Sequence, residues 1–223
     1  AVRLAEATKR NVDAIAVTAG PGLITSLAVG VEAAKTLAIV WKKPLIKVNH
    51  IEGHVAANWL RNEEIRFPAL CLVVSGGHTE LLLMNDLGRP RCVGRTLDDA
   101  SGEAFDKVAK LLRLGYPGGP AISKLAVKGN PAAYKLPRPM LTAKNFDFSF
   151  AGIKTAVMYI ATGIPGNTKL LGQRISKADM AASFQQAVVD VLVGKTIRAA
   201  KQYKVKSVLL AGGVAANSEL LRQ

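Results

Sequence analysis

Hydrophobic residues along the chain alternate between two patterns. Short continuous apolar blocks ending in glycine, such as VDAIAVTAG and PLIKVN, read as buried strands, while residues 22–40 place small and apolar residues at helical spacing. IEGHVAANWLRN continues as a second helix, giving strand, helix, strand, helix, the order of a parallel or mixed sheet with helices packed against it. ALCLVVSGGHTELLLM then reads as two strands joined at a glycine turn, with a third strand at RCVGRT. A helix is expected from about Asp99 to Leu114, then the loop GYPGGP, a mostly helical stretch to about residue 203, and finally KSVLLAGGVAANSELL as strand, double-glycine turn and helix. AVRLAEATKR and AANSELLRQ read as helices at the two ends, without a cap or polar tail, so the chain is expected to be the middle of a longer protein. This pattern predicts an α/β protein of two lobes with a helical insertion, residues 1–100 and 101–223, the boundary falling near 95–120.

Composition adds that 223 residues with 49% hydrophobic content can bury a sizeable core. The apolar run LAVGVEAAKTLAIVW is interrupted by Glu32 and Lys35, so no membrane span and no secretory signal is expected. Cys71 and Cys92 lie in strand-like runs and read as buried thiols of a reducing compartment, the cytoplasm. The net charge of +14 is uneven: residues 1–106 carry 12 Lys/Arg and 12 Asp/Glu, residues 107–223 carry 18 Lys/Arg and only Asp147, Asp179, Asp190 and Glu219. A basic half of this kind attracts polyanions such as nucleic acid, with a merely solubilising surface as the other reading. Lys195, Lys201, Lys204 and Lys206 are its candidate phosphate contacts.

The candidate chemistry begins at NHIEGH. Asn49 caps a helix starting at His50, which brings His50 and His54 onto one face four residues apart. The spacing leaves open a metal site or two capping and packing histidines. Gly53 between them points to a close approach. In VVSGGHTE, Ser75, Gly76 and Gly77 let backbone approach a phosphate, with Ser75 and His78 as further donors. Gly212 and Gly213 precede a helix whose N-terminal amides attract an anion or nucleotide. Neither GxxxxGK[ST] nor GxGxxG occurs, which disfavours a Walker or Rossmann site. Asp106 offers a carboxylate for ribose hydroxyls beside Gly118 and Gly119. FDFSFAGIKTAV reads as a structural loop packed by aromatics leading into a helix, with Lys154 facing the cleft.

In this order and spacing, NHIEGH, VVSGGHTE, DDASGEAFDKVAKLLRLGYPGGP, PRPM, FDFSFAGIKTAV and LLAGGVAANSEL resemble the tRNA N6-adenosine threonylcarbamoyltransferase family, formerly called glycoproteases, in its bacterial branch. The resemblance spans essentially the whole chain. It implies a two-lobed actin-like ATPase fold, ribonuclease H-like in its lobes, with the active site in the cleft between them. It implies transfer of threonylcarbamoyl from threonylcarbamoyl-AMP to N6 of adenosine 37 in tRNAs reading codons that begin with A. By motif, His50 and His54 match the pair binding one divalent metal, iron or zinc, and Val73, Val74, Ser75, Gly76, Gly77, Asp106, Gly119 and Asn217 match the positions holding the adenylate. tRNA and partner proteins of the threonylcarbamoyladenosine pathway, TsaB- and TsaE-like in bacteria, are the implied partners, with no membrane. The family's GIETSCD-like segment and its CTDN-like motif, whose aspartate is the third metal ligand, have no match within residues 1–223. No general base is assigned.

Rival readings are a sugar-kinase-like or ATPase relative and a non-catalytic scaffold of the same pathway. Proteolysis is disfavoured, because a zincin needs its glutamate directly after the first histidine and Ile51 stands there.

Overall fold

The computed structural model describes residues 7–61, 64–88, 90–162 and 175–223. The chain divides into two compact units, Ala1–Ala57 and Asn58–Gln223.

In the first unit, β1 (Ile15–Gly20) and β2 (Leu45–Asn49) pair in parallel, Ile15 opposite Leu45, and are joined by α1 (Ile24–Trp41). Ala34 and Ala38, one helical turn apart, are the buried residues of α1, and such small side chains let the helix lie close to the sheet. Lys42 in the left-handed conformation ends α1 by returning its N–H to the last turn. Among the described residues α1 is the one helix long and apolar enough to cross a membrane, 18 residues at mean hydropathy 1.4. Its Glu32 and Lys35 form an ion pair at 2.7 Å. Then comes α2 (His50–Ala56), followed by a 3-10 turn at Ala57–Arg61 where the sequence pattern predicts one continuous helix.

The second unit is built on a four-stranded sheet in the order β5-β4-β3-β6. β3 (Ala69–Val74) and β4 (Thr79–Met84) form the expected antiparallel hairpin, β5 (Arg91–Arg95) adds antiparallel to β4, and β6 (Ser207–Ala211) adds parallel to β3. All six residues of β3 are buried, as expected of an interior strand without alternation. Because β3 to β5 share a sheet with β6, the division of the chain does not coincide with the boundary expected near residue 100. α3 (Ser101–Leu112) packs against α4 (Gly118–Ala126) and α5 (Ala151–Thr162), both of which meet α6 (Lys177–Gln202), the helix that lies on β3, and a 3-10 turn at Gly213–Ala216 leads into α7 (Ser218–Arg222). Phe105 of α3 meets Phe184 of α6 edge to face at 5.1 Å in the core.

The stretch expected to be mostly helical is interrupted by an irregular segment between α4 and α5 that contains Pro131, Pro137 and Pro139. Buried Leu136, Phe146, Phe148 and Phe150 anchor it, so FDFSFAGIKTAV is the aromatic-packed loop and helix anticipated. Asp98 holds its junction with α5, accepting from Phe150 N–H at 2.8 Å and Ala151 N–H at 3.3 Å, and from Ser149 Oγ at 2.5 Å. Residues 7–10 are not helical, so the helix expected at the start is not formed in its described part; the rest of that expectation lies outside the described residues.

Candidate functional site

In the first unit the histidine pair is brought together. Asn49 Oδ1 accepts from the N–H groups of Ile51 at 2.8 Å and Glu52 at 3.2 Å, capping α2 as its sequence predicts. The half-buried rings of His50 and His54 lie with centroids 4.5 Å apart and planes at 62°. Two imidazoles at this spacing suit a borderline metal such as zinc or iron, but a zinc site ordinarily takes at least three protein ligands. Among the described residues no group of three His, Cys, Asp or Glu side chains gathers at one point. The donor set fits the implied metal as two of its ligands.

The second unit contains a cavity of about 470 Å3 lined by Gly76, Phe105, Asp106, Tyr116, Gly119, Ser123, Val214 and Asn217 among others. It is closed on one side by the β3–β4 hairpin, where Ser75 N–H donates to His78 C=O at 2.8 Å and His78 N–H to Ser75 Oγ at 3.1 Å, leaving Gly76 and Gly77 as the two-residue tip. A side chain at either glycine would meet nothing within 4 Å, so the tip is bare backbone open to a ligand.

The start of α3 docks on this hairpin. Ala100 has no capping side chain, and the hairpin supplies one instead: Ser101 N–H donates to Thr79 Oγ1 at 2.9 Å and Gly102 N–H to Ser75 C=O at 3.2 Å. Gly102 is required by this approach, since a Cβ there would stand 2.5 Å from the Ser75 carbonyl oxygen. Further along α3, Asp106 Oδ1 accepts from Gly118 N–H at 2.7 Å, tying the start of α4 to α3 and placing the carboxylate in the cavity wall. Just before α3, Asp99 faces Lys107 at 2.7 Å and Lys154 at 3.5 Å. Burial alone would raise the Asp99 carboxyl, but the lysine hydrogen bonds and charges outweigh it and hold the group below its usual range. Lys154 therefore turns to Asp99 and is not part of the cavity lining.

Of the eight positions expected to hold an adenylate, Gly76, Asp106, Gly119 and Asn217 meet at the cavity, although they come from the hairpin, α3, α4 and the cap of α7. Gly77 and Ser75 belong to the same hairpin without lining it. Val73 and Val74 do not reach it: their side chains are wholly buried, and Val73 pairs with Ala211 of β6. Asn217 reaches the cavity with its side chain already engaged. Its Oδ1 accepts from Glu219 N–H at 3.0 Å and Leu220 N–H at 3.1 Å, and its Nδ2 donates to Ser123 Oγ and Gln185 Oε1, each at 2.9 Å. Ser123, Gln185 and Tyr116 went unmarked by the sequence reading. The signals present were Ser123 four residues after Gly119 on α4, and a glutamine inside the apolar run of α6.

Two sequence expectations are corrected. Lys195 is no phosphate contact: it is fully buried, donates to the Asn145 carbonyl oxygen at 3.2 Å, and burial with the nearby Arg198 charge pulls its pKa down to about 8. Lys201, Lys204 and Lys206 are exposed and line a basic depression of about 340 Å3 at the end of α6. Cys71 is a buried thiol, raised to about 12 by that burial, but Cys92 is exposed on β5, an edge strand of the described sheet.

The fold has a solved counterpart in HypF of T. kodakarensis, which superposes with a TM-score of 0.64 at 17% identity, over 96% of this chain and 36% of that one. The class is the actin-like ATPase fold that the sequence motifs imply. Residues 1–223 match the family model of TsaD, tRNA N6-adenosine threonylcarbamoyltransferase, and the chain belongs to that family. Relatives of that description include those of Thermomicrobium roseum, 53% identical over 94% of this chain, Geobacillus thermodenitrificans, 56% over 94%, and Bacillus subtilis, 54% over 99%. The chain spans 63%, 60% and 62% of the length of these three curated relatives.

Proposed function

We propose that this chain carries the adenylate-binding part of an enzyme that transfers threonylcarbamoyl from threonylcarbamoyl-AMP to N6 of adenosine 37 in tRNAs reading codons that begin with A. The observation that carries the reading is the convergence of Gly76, Asp106, Gly119 and Asn217 on one cavity. In this reading the AMP moiety lies there, with its phosphate toward the bare Gly76–Gly77 backbone and its ribose hydroxyls donating to Asp106. The N6 lone pair of the target adenosine attacks the carbamoyl carbon, the bond from that carbon to the phosphate oxygen breaks, AMP leaves and N6 gives up a proton.

His50 and His54 would hold an iron or zinc ion, which when bound supplies Lewis-acid polarisation of a carbonyl oxygen. The remaining work falls to positioning, since an exocyclic amine is a weak nucleophile and gains most from orientation. Lys201, Lys204 and Lys206 would meet tRNA phosphates. The setting is cytoplasmic, without membrane attachment, alongside TsaB- and TsaE-like partners.

The test is transfer from threonylcarbamoyl-AMP to tRNA, with His50→Ala, His54→Ala and Asp106→Asn in parallel. Loss of activity in all three, with AMP competing against the substrate, supports the reading. Full activity in both histidine variants refutes the metal role, and failure of AMP to compete refutes the adenylate site.

A further inference from the structure

Gln185 stands behind the cavity wall, on α6, and its hydrogen bonds determine what the wall can recognise. The chain of deduction starts from two backbone N–H groups that can only donate, Glu219 at 3.0 Å and Leu220 at 3.1 Å from the Asn217 side-chain oxygen. They fix that atom as Oδ1, so Nδ2 must face Ser123 Oγ and Gln185, each at 2.9 Å. The Gln185 atom receiving an Nδ2 proton must then be Oε1. The same Oε1 lies 2.9 Å from Ser123 Oγ, and a carbonyl oxygen cannot donate, so the one hydroxyl proton of Ser123 is committed to Gln185. Ser123 Oγ accepts one proton from Asn217 and keeps one lone pair for the cavity it lines.

We propose that Gln185 is a positioning residue that makes Ser123 an acceptor-only group toward the cavity, so that the site selects a ligand presenting a hydrogen-bond donor there. This rests on the adenylate reading above, under which the donor is a sugar hydroxyl or the exocyclic amine of the base. Asp106 is likewise an acceptor when ionised, so the wall matches a nucleoside through its donors. Asn217, with all four of its amide valences engaged, acts as the strut holding Gln185 and the start of α7 in register.

The test is calorimetric titration of the 223-residue chain with AMP, 2′-deoxy-AMP, 3′-deoxy-AMP and IMP, repeated on Gln185→Met, Gln185→Glu and Ser123→Ala. The wild-type chain should prefer AMP to at least one analogue by about five- to tenfold, the worth of one neutral hydrogen bond. A deoxy analogue failing identifies the sugar, and IMP failing identifies the base amine. Gln185→Met and Ser123→Ala should weaken AMP by a similar factor and erase that preference, whereas Gln185→Glu, which keeps the acceptor, should retain it. A general loosening of the fold would weaken all four ligands alike and leave the preference in place. The inference is overturned if wild type shows no preference, or if Gln185→Met keeps both affinity and preference. Should Gln185→Met not fold by circular dichroism, Ser123→Ala decides on the same criterion. A wild-type chain that binds no AMP overturns both this inference and the adenylate reading, while AMP binding weakened by Asp106→Asn but indifferent to Gln185→Met and Ser123→Ala overturns the inference alone.

Discussion

Adjacent glycines 118 and 119 offer a sharp test of how the cavity is assembled, because one faces packed backbone and the other faces open space. A Cβ at Gly118 would stand 2.6 Å from Asp106 Cα, 2.7 Å from the Phe105 carbonyl oxygen and 2.8 Å from Ala109 Cβ. Carbon atoms sit comfortably at about 3.5–4.0 Å, so Gly118→Ala requires α4 to retreat from α3 by about 1 Å. The obstacles are mostly backbone and have little freedom to turn aside. Overpacking of this kind costs about 1–3 kcal/mol, and the retreat stretches the 2.7 Å hydrogen bond from Gly118 N–H to Asp106, worth about 1.5–3 kcal/mol when its acceptor is charged. The stiffer unfolded chain returns about 0.4–1 kcal/mol. With partial relaxation the net loss should be about 2–4 kcal/mol. At Gly119 a Cβ meets nothing within 4 Å, so Gly119→Ala should keep the unfolded-chain gain and raise stability by about 0.4–1 kcal/mol while its methyl group enters the cavity and weakens AMP binding. Urea unfolding followed by circular dichroism, with AMP titration of each variant, reads both quantities. Equal stability of the two variants, or unchanged AMP affinity in Gly119→Ala, would refute the account of this wall.

Other consequences concern charge and capping. Because the Lys195 pKa falls to about 8 in the folded chain, the unfolded chain binds the extra proton between about pH 8 and the ordinary lysine range. Stability should therefore rise through that window in the wild type, and the rise should be smaller in Lys195→Met, as read by melting temperature against pH. Asp98→Ala removes the acceptor for Phe150 N–H, Ala151 N–H and Ser149 Oγ and should cost about 1–3 kcal/mol in chemical denaturation; a change below about 0.5 kcal/mol would show that the α5 junction holds without it. If Lys201, Lys204 and Lys206 contact tRNA phosphates, replacing all three by glutamine should flatten the dependence of log K on log salt by about 2–3 in filter binding. An unchanged slope would place the contacts elsewhere.

The parts of this architecture that are local in sequence were legible in it. The β3–β4 hairpin follows from two apolar blocks around SGGH, the α2 start from Asn49, and the α7 start from Asn217, each a short-range rule of turn or cap chemistry. The parallel pairing of β3 with β6 joins segments far apart in the chain, and no local pattern announces it. Lys195 was misread because charge was counted without regard to helical face. Val188, Leu192, Lys195 and Ala199 recur at three- and four-residue intervals and all are buried, so the stripe was present in the sequence. The irregular segment before α5 carries prolines at 131, 137 and 139 that should have weighed against helix. At the site, Asp106 and Gly119 are singled out by the motifs and line the cavity, but the saturation of Asn217 by Ser123, Gln185 and two backbone amides depends on side chains from three helices and could only be seen folded.

The most direct test of the adenylate reading is a titration of AMP into the isotope-labelled chain, followed by NMR of the backbone amides. Saturable shifts concentrated at Gly76, Gly77, Gly118, Gly119 and Ser218, weakened in Asp106→Asn, are the expected result. Shifts confined to other parts of the chain, or none at millimolar AMP, would contradict it.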